Sequence, residues 1–517
     1  MTTVAERLVD WLKSLGTEVV FGIPGVHTIE LYRALPGSGI RHVTARHEAG
    51  AGFMADGYAR VSGRFGVALV ITGPGVTNIL TPMAQARADS VPMLVISGVN
   101  ARDTLGKGLG HLHELPDQLA LTASLGPAFH LKGAGALPEV LAQAAAALTG
   151  GRGGPVHLQV PIDLMAASAP EALPPASAPA ASAAGIAAAT RILHGAQRPV
   201  ILAGGGCRWA EAELRACAEM LGAPVIQTTN ARGLMHAHPL TVPASPSLAP
   251  VRDLIAAADA VLVAGSELGP TDTDMYGDGG LPAMARMVRI DICAAQLARH
   301  PAAVALQGDV RDLLPRLAGR DTPAPGGAEC AAQTRRAARA SLAPALREDA
   351  EMLAALCAAR PGAIMVGDST QVIYAGNLYH DHDRPGGWFN AATGYGALGY
   401  ATGAAVGAAL AAPDVPVRCL IGDGGLMFAP GEVLTAVEEG VDITFLVFNN
   451  RGFGEIADAM RDAGAEVLGC TPRPPEFESF ARSCGIAFTR CAKRDAAAAL
   501  AAGRGPRMIE VTLPAVQ

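Results

Sequence analysis

Short apolar runs, each followed by a glycine-rich or polar turn and then a helix-period stretch, recur along the whole chain. Val19-Val20-Phe21, Val67 to Ile71 and Met93 to Ile96 are runs of this kind near the start. Pro199 to Ala203, Val261 to Ala264 and Met287 to Asp291 follow in the middle, and Ala363 to Val366, Val417 to Ile421, Ile443 to Phe448 and Met508 to Val511 towards the end. A strand that reads as continuously apolar has to be covered on both faces, and parallel strands need a crossover helix between them. The alternation therefore predicts an α/β chain with mainly parallel sheets. Residues 166–186 and 318–332 break the pattern with Pro, Ala, Ser and Gly and no periodicity, which predicts two linkers. Three doubly wound domains follow, over 1–165, 187–317 and 333–517, and a chain of 517 residues suits that number. Ligands of such sheets sit outside the carboxyl ends of the strands.

Composition removes several function classes. Lys and Arg number 40 against 47 Asp and Glu, a net charge of −7, with no basic run to neutralise a phosphate backbone, so nucleic acid is not an expected partner. Half the residues are apolar, yet glycine, proline or charge interrupts the runs before membrane-span length, so no membrane association is expected. The chain starts with Thr3-Val4-Ala5-Glu6, a helix capping box, and Val4, Leu8, Leu12 and Leu15 share one face of the helix that follows. A secretory signal would show a basic start and an apolar run, and a cytoplasmic protein is expected instead. The nine cysteines are widely spaced with no Cys-x-x-Cys pair, and they imply neither a zinc motif nor a disulfide framework.

Two polar clusters close strands in the last block. Val417–Ile421 runs into Gly422-Asp423-Gly424-Gly425, where small residues let backbone amides approach an anion and a carboxylate stands at the strand tip. Residues 425–448 hold one helix and one strand, and that strand runs into Asn449-Asn450-Arg451-Gly452. Both clusters should therefore leave parallel strands on the same edge. Magnesium takes carboxylate, amide and carbonyl oxygens together with phosphate oxygens, and Asp423 and Asn450 offer the first two kinds. Taken singly, each cluster reads equally well as a loop and a turn.

Together, Gly-Asp-Gly and the Asn pair at this spacing resemble the fingerprint of thiamine-diphosphate enzymes, and the resemblance extends over nearly all of the chain. It implies the thiamine-diphosphate-binding fold, with a pyrimidine-binding domain first, a central domain, and a diphosphate-binding domain last. It implies thiamine diphosphate and magnesium as cofactors, the metal held by Asp423, Asn450 and the Gly452 carbonyl. Arg46-His47-Glu48 followed by Ala49-Gly50-Ala51 is similar to the family segment carrying the acid beside the aminopyrimidine, which makes Glu48 that acid. Phe21-Gly22-Ile23-Pro24-Gly25 resembles the first active-site turn, and Thr72 to Asn78 the loop on the pyrimidine side, placing Pro24 and Asn78 at the cofactor. Gly394 to Gly399 resembles the segment that wedges the cofactor into its bent shape, with Leu398 as the wedge and the Gly396 carbonyl accepting from the 4′-amino group. Gly422, Gly424, Gly425, Thr370 and Gln371 take the diphosphate side. A packed leucine and a polar loop are the plain readings of the last two groups. The resemblance also implies a homo-oligomer, a dimer at least and commonly a tetramer, because in the family the acid and the metal site act across a subunit boundary.

The same resemblance implies decarboxylation of a 2-oxo acid by a carboxy-lyase. Acetolactate synthases are similar, but this chain has Pro161-Ile162-Asp163 where they carry a lysine and lacks their tryptophan-containing stretch after the Asn pair. No flavin pattern surrounds Arg232 to His236, so no FAD is expected. His27 stands where benzaldehyde lyases have a histidine, and His113 lies in the Leu112–Gln118 segment where relatives place a glutamine, so both are candidate acid/base groups. His111 and His47 read as surface or supporting residues. Val26, Phe453 and Glu455 would line the substrate side. A carboxylate there suits a cationic tail, since a guanidinium–carboxylate pair is strong and directional; the plain reading of Glu455 is a solvated acid at a helix start. The combination is similar to decarboxylases of 5-guanidino-2-oxopentanoate, which form 4-guanidinobutanal in arginine catabolism. Two alternatives stay open: a carboligase or lyase of the benzaldehyde-lyase or acetolactate-synthase type, and a catalytically silent thiamine-fold binding subunit.

Overall fold

The structure, a computed structural model, describes residues 2–170, 185–274 and 279–516. It contains three six-stranded sheets, all of whose strand pairs are parallel. In spatial order the first sheet runs Arg41–Thr44, Val19–Gly22, Gly66–Val70, Met93–Val99, Pro155–Pro161, Ala128–His130. The second runs Val304–Gln307, Val288–Asp291, Ala260–Ala264, Pro199–Ala203, Val225–Gln227, Thr241–Val242. The third runs Trp388–Asn390, Ile364–Gly367, Val417–Gly422, Ile443–Asn449, Arg507–Thr512, Ala487–Ala492. Each is doubly wound, with helices covering both faces, and this is why the strands read as unbroken apolar runs. No helix among the described residues is long and apolar enough to cross a membrane.

Local rules hold at the amino terminus. Glu6 N–H donates to the Thr3 hydroxyl at 3.2 Å and Thr3 N–H to the Glu6 carboxylate at 2.7 Å, the reciprocal capping box in front of helix Val4–Ser14. The first proline-rich tract falls largely on 171–184, outside the described residues. The second is shorter than its composition suggests. Helix Gly327–Ser341 begins inside it, and the third block's expected start at residue 333 lies within that helix. Ala331 and Ala338 are buried against Val251, Leu254 and Val242 of the central layer, and Arg335 donates to the Pro239 carbonyl at 3.0 Å and to the Thr241 carbonyl. The helix thus belongs with the central sheet, and chain continuity passes to the third block at Leu342–Ala343. Ala-rich helices carry little apolar contrast, so burial of two small residues at a seam outweighed a composition that reads as linker.

The first and third sheets share one core. Helix Glu48–Ser62 crosses helix Tyr400–Ala411 in close contact. A Cβ on Gly57 would collide with the Ala404 carbonyl, and one on Gly407 with that of Met54, so backbone meets backbone at the crossing. A buried polar knot sits alongside. Arg60 pairs with Asp56 and with Asp89, both at 2.6 Å, and Tyr400 donates to Asp56 at 2.6 Å. Burial of an arginine with two carboxylates leaves no partner missing, which is the condition under which buried charge is tolerated.

Candidate active site

In the first sheet the carboxyl ends of Val19–Gly22, Gly66–Val70 and Met93–Val99 lie on one edge, and the loops leaving them carry the polar groups. Glu48 opens helix Glu48–Ser62, with the His47 ring accepting from Ala49 N–H at 3.1 Å as the cap. His47 is exposed and caps the helix, a supporting role next to Glu48. The turn is also held from the third block, where the buried Glu432 carboxylate accepts from the amides of Arg46 and His47 at 3.1 and 3.2 Å and from Thr435 at 2.7 Å. Asn78, in helix Pro74–Ala88, donates its amide to Glu48 Oε2 at 2.9 Å. Asn78 and Glu48, both expected at the cofactor, thus meet.

His27 and His113 also meet, with ring centroids 5.4 Å apart and planes at 64°. Burial, and then the neighbouring His113, push the His27 pKa below its ordinary value. Nδ1 of each ring and the Thr72 hydroxyl are buried without a hydrogen-bond partner. Three polar atoms left open in one place are the mark of a site completed by something else. His111 is exposed, and its amide donates to Glu114 at 3.0 Å in a loop that Glu114 ties together. Pro24 and Val26 are exposed at the rim.

The residue that sequence reasoning passed over is Gln118. It is only 4% exposed; its Oε1 accepts from Gly73 N–H at 3.0 Å. Its Nε2 lies 2.9 Å from the Gly98 carbonyl, 3.1 Å from Gln159 Oε1 and 3.2 Å from Ser97 Oγ. Ser97 is in turn hydrogen-bonded to His157 at 2.8 Å, and His157 to Thr122 at 2.7 Å. This network pins the Gly73 loop, on which His113 rests: a Cβ on Gly73 would strike the His113 carbonyl. Its signal lies in the segment Leu112–Gln118, where the titratable His113 is the more conspicuous group.

In the third sheet the register pairs Gly422 with Phe448, so the Gly-Asp-Gly and Asn-Asn turns leave adjacent strands at the same edge. Asp423 is 2% exposed, and its Oδ1 is buried with no partner. Burial pushes its carboxyl up to about 6, against the pull of the nearby Asn450, Gly424 and Gly452 amides. Asn450 Oδ1 accepts from Gly452 N–H at 3.2 Å, and Arg451 between them takes a left-handed φ of 60°. The neighbouring Asn449 is used structurally, its amide donating to Glu510 at 2.7 Å. An orphaned buried carboxylate oxygen beside an amide oxygen and a tight backbone turn is a donor set that fits a hard divalent cation.

Small residues hollow out the space next to it. A Cβ on Gly424 would strike the Phe453 ring, and one on Gly425 would press on Asp368 Oδ1. Asp368 is fully buried, pushed up to about 6 by desolvation, and accepts from Ser369 and Ala401 amides at 3.0 and 3.1 Å. Thr370 lies beside Gly422, whereas Gln371 is exposed on the first turn of helix Gln371–Leu378. Leu398 is half-buried, and Gly396 turns with φ 76° in front of it. Glu455 sits in the first turn of helix Gly454–Asp462. The residue is exposed, yet crowding of its carboxyl and then Asp458 push its pKa up, and among the described residues no Lys or Arg pairs with it.

Two half-sites result. Glu48, Asn78, His27 and His113 gather on the first sheet, and Asp423, Asn450, Gly452, Phe453, Thr370 and Glu455 on the third. Among the described residues, no hydrogen bond or ion pair joins one set to the other. Exposed apolar side chains stand near both, Val26 by the first and Met427, Phe428 and Ile456 by the second.

Comparison with known proteins agrees with this architecture domain by domain. The N-terminal TPP binding domain of thiamine pyrophosphate enzymes matches residues 2–121, the central domain 186–317, and the C-terminal TPP binding domain 368–511. Over 501 residues, 94% of this chain and 89% of the relative, the sequence is 44% identical to a probable 2-ketoarginine decarboxylase of Pseudomonas aeruginosa. It is 32% identical to the large subunit of acetolactate synthase isozyme 1 of Escherichia coli, over 87% of this chain and 82% of that one. Sulfoacetaldehyde acetyltransferase of Castellaniella defragrans is 29% identical, again over 87% and 82%.

Proposed function

The chain belongs to the thiamine pyrophosphate enzyme family as a thiamine-diphosphate-dependent decarboxylase of 2-oxo acids, and we propose that its substrate is 5-guanidino-2-oxopentanoate (2-ketoarginine). The C1–C2 bond breaks, carbon dioxide leaves, and a proton added at C2 completes 4-guanidinobutanal. The observation that carries the substrate assignment is Glu455, a carboxylate one turn past the metal loop that pairs with no Lys or Arg among the described residues. A guanidinium tail would supply the cation and form a directional two-hydrogen-bond pair. The similarity to a probable 2-ketoarginine decarboxylase over nearly the whole chain supports the same assignment.

Thiamine diphosphate, when bound with its divalent metal, supplies the electron sink that makes loss of carbon dioxide possible. We assign magnesium as that metal, to be held by Asp423, Asn450 and the Gly452 carbonyl, whose orphaned oxygen and turn geometry fit it. Glu48, oriented by Asn78, would hold a proton against the aminopyrimidine. Gly422, Gly424 and Gly425 leave room for the diphosphate, with Thr370 as a hydroxyl donor; Pro24 and Leu398 flank the rings. His27 and His113, whose rings meet, would deliver the proton to C2, imidazole being the side chain whose ordinary titration lies near working pH. The acid and the metal would act together across the boundary of a homodimer, with a tetramer as the larger assembly. The exposed apolar side chains beside each half-site support that reading.

The test is carbon dioxide release from a panel of 2-oxo acids with thiamine diphosphate and magnesium. 2-Ketoarginine should be preferred over pyruvate and benzoylformate, and the assignment fails if it is inert while either of those turns over. Acyloin formation from pyruvate or paired aldehydes at a comparable rate would move the enzyme to the carboligases. Glu455→Gln should lower kcat/KM for 2-ketoarginine by about 10- to 100-fold, the value of a hydrogen bond to a charged group, and leave uncharged 2-oxo acids unaffected.

A further inference from the structure

Outside the half-sites, three residues with metal-ligating atoms converge in the interior. Cys357 lies near the end of helix Pro344–Ala359, and His380 and His382 lie on the segment between helix Gln371–Leu378 and strand Trp388–Asn390. They are 8%, 2% and 0% exposed. Cys357 Sγ is 3.7 Å from His380 Nε2 and 3.5 Å from His382 Nδ1, and the two nitrogens are 3.3 Å apart.

Hydrogen bonding alone accounts poorly for that triangle. Each ring nitrogen has one in-plane direction, used either by a proton or by a lone pair, and the thiol has one proton. A neutral set can align at most two of the three edges, yet all three are close. A cation at the centre satisfies all three at once. With Zn–S about 2.3 Å and Zn–N about 2.0–2.1 Å in a tetrahedron, S···N comes to about 3.5–3.6 Å and N···N to about 3.3–3.4 Å. The 3.5 Å separation from Cys357 to His382 and the 3.3 Å between the two nitrogens fall on these values, and the 3.7 Å from Cys357 to His380 is slightly longer.

We propose that Cys357, His380 and His382 form a zinc site, separate from the catalytic metal, that fixes the segment by which the third block meets the central one. One thiolate and two imidazoles are a borderline-soft set, suited to zinc and unsuited to magnesium. The fourth position is left to water, since these three are the only such ligands converging there among the described residues. The net charge of such a site is met by Asp383, an electrostatic neighbour of Cys357 and His382 whose Oδ1 is buried without a partner. The ligand segment is also where the blocks join. His380 N–H donates to the Pro243 carbonyl at 3.1 Å, Tyr379 bridges Ala244, and Asp381 contacts His236 at 3.1 Å. The motif reads Cys-x22-His-x-His, and the absence of a paired-cysteine spacing is why the sequence alone suggested no zinc.

The full-length enzyme, produced with zinc present and dialysed against magnesium and thiamine diphosphate, should retain one zinc per chain by elemental analysis. Cys357→Ser and His382→Gln should each fall below a tenth of that, while Asp423→Asn keeps it. If those variants do not fold, wild-type protein stripped of metal and loaded with cobalt(II) gives the same answer: one equivalent bound, with thiolate-to-cobalt charge-transfer absorption. Zinc at background with no such band would overturn the proposal. So would undiminished zinc in folded Cys357→Ser, or one equivalent of copper in place of zinc.

Discussion

Gln118 on the first sheet and Asp423 on the third are both nearly buried polar residues beside the carboxyl end of a strand, and they differ in how their surroundings treat them. Gln118 has both ends of its amide matched, by Gly73, Gly98, Ser97 and Gln159, and behind it Ser97, His157 and Thr122 continue a network of hydrogen-bonded groups. Asp423 keeps one carboxylate oxygen open, at a pKa pushed up to about 6 by burial. Beside the first half-site the open atoms among the described residues belong to His27, His113 and Thr72, in front of the network rather than within it. A fully satisfied polar network rigidifies, whereas a partly satisfied one costs stability that a ligand can return. The network behind the first half-site is therefore a positioning frame that needs no cofactor to be complete, its open atoms standing in front of it, and the third half-site is a receptor that is complete only with its cation.

The widest separation of the two halves should come from Glu48→Gln. Glu48 is held by Asn78 within the finished frame, so the change should leave cofactor binding intact while lowering kcat by about 10²- to 10⁴-fold, the range for a lost general acid–base group. Steady-state rates beside a calorimetric titration with thiamine diphosphate and magnesium separate the two effects. If binding fell in parallel with rate, the frame and the receptor would be one unit and the contrast would be wrong.

Asp423→Asn should do the reverse. Wild-type protein at cofactor concentrations a hundredfold above Kd gains about 2.7 kcal/mol of stability by mass action, and the variant should gain none. Without cofactor the variant should be no less stable than wild type, and up to about 1 kcal/mol more so, because the unpaired buried charge is gone. Thermal melts with and without cofactor give both numbers, and an apo form destabilised by 2 kcal/mol or more would show that Asp423 is structural.

Gln118→Ala sharpens the comparison from the other side. It orphans the Gly73 amide and the Gly98 carbonyl together and should cost about 2–3 kcal/mol with or without cofactor, read as a fall in denaturation midpoint. A stability loss that disappeared on adding cofactor would assign Gln118 to the receptor instead.

These contrasts bear on what could be read in the sequence. The sheets were legible because buried parallel strands must be apolar on both faces, and the receptor because its residues are contiguous: Asp423 and Asn450 each close a strand, and their spacing requires one helix and one strand between them. Glu48 was legible only through resemblance, since nothing local distinguishes it from any acid at a helix start. Gln118 was missed because its importance lies in four partners drawn from three separate segments, which no single stretch records. Cys357, His380 and His382 escaped for the same reason, being brought together by helix packing across a gap in sequence. The extent of helix Gly327–Ser341 was hidden in alanines whose burial is decided by the neighbouring layer.

The smallest expected effect tests the neutrality of the frame. His157 is fully buried between Ser97 and Thr122, and burial lowers its pKa from the ordinary 6.5 to about 3. The folded frame thus excludes a proton that the unfolded chain binds below pH 6.5, so stability is whole above that value and drains as pH falls towards 3. At pH 5.5 the loss from this one group is about 1.4 kcal/mol, one pKa unit's worth. Unfolding free energies at pH 7.5 and 5.5, compared between wild type and His157→Gln, isolate it from other histidines: the variant should start less stable and lose about 1.4 kcal/mol less on acidification. Equal losses in the two proteins would mean that the frame admits a charge, and the distinction between a neutral half-site and a charged one would have to be drawn elsewhere.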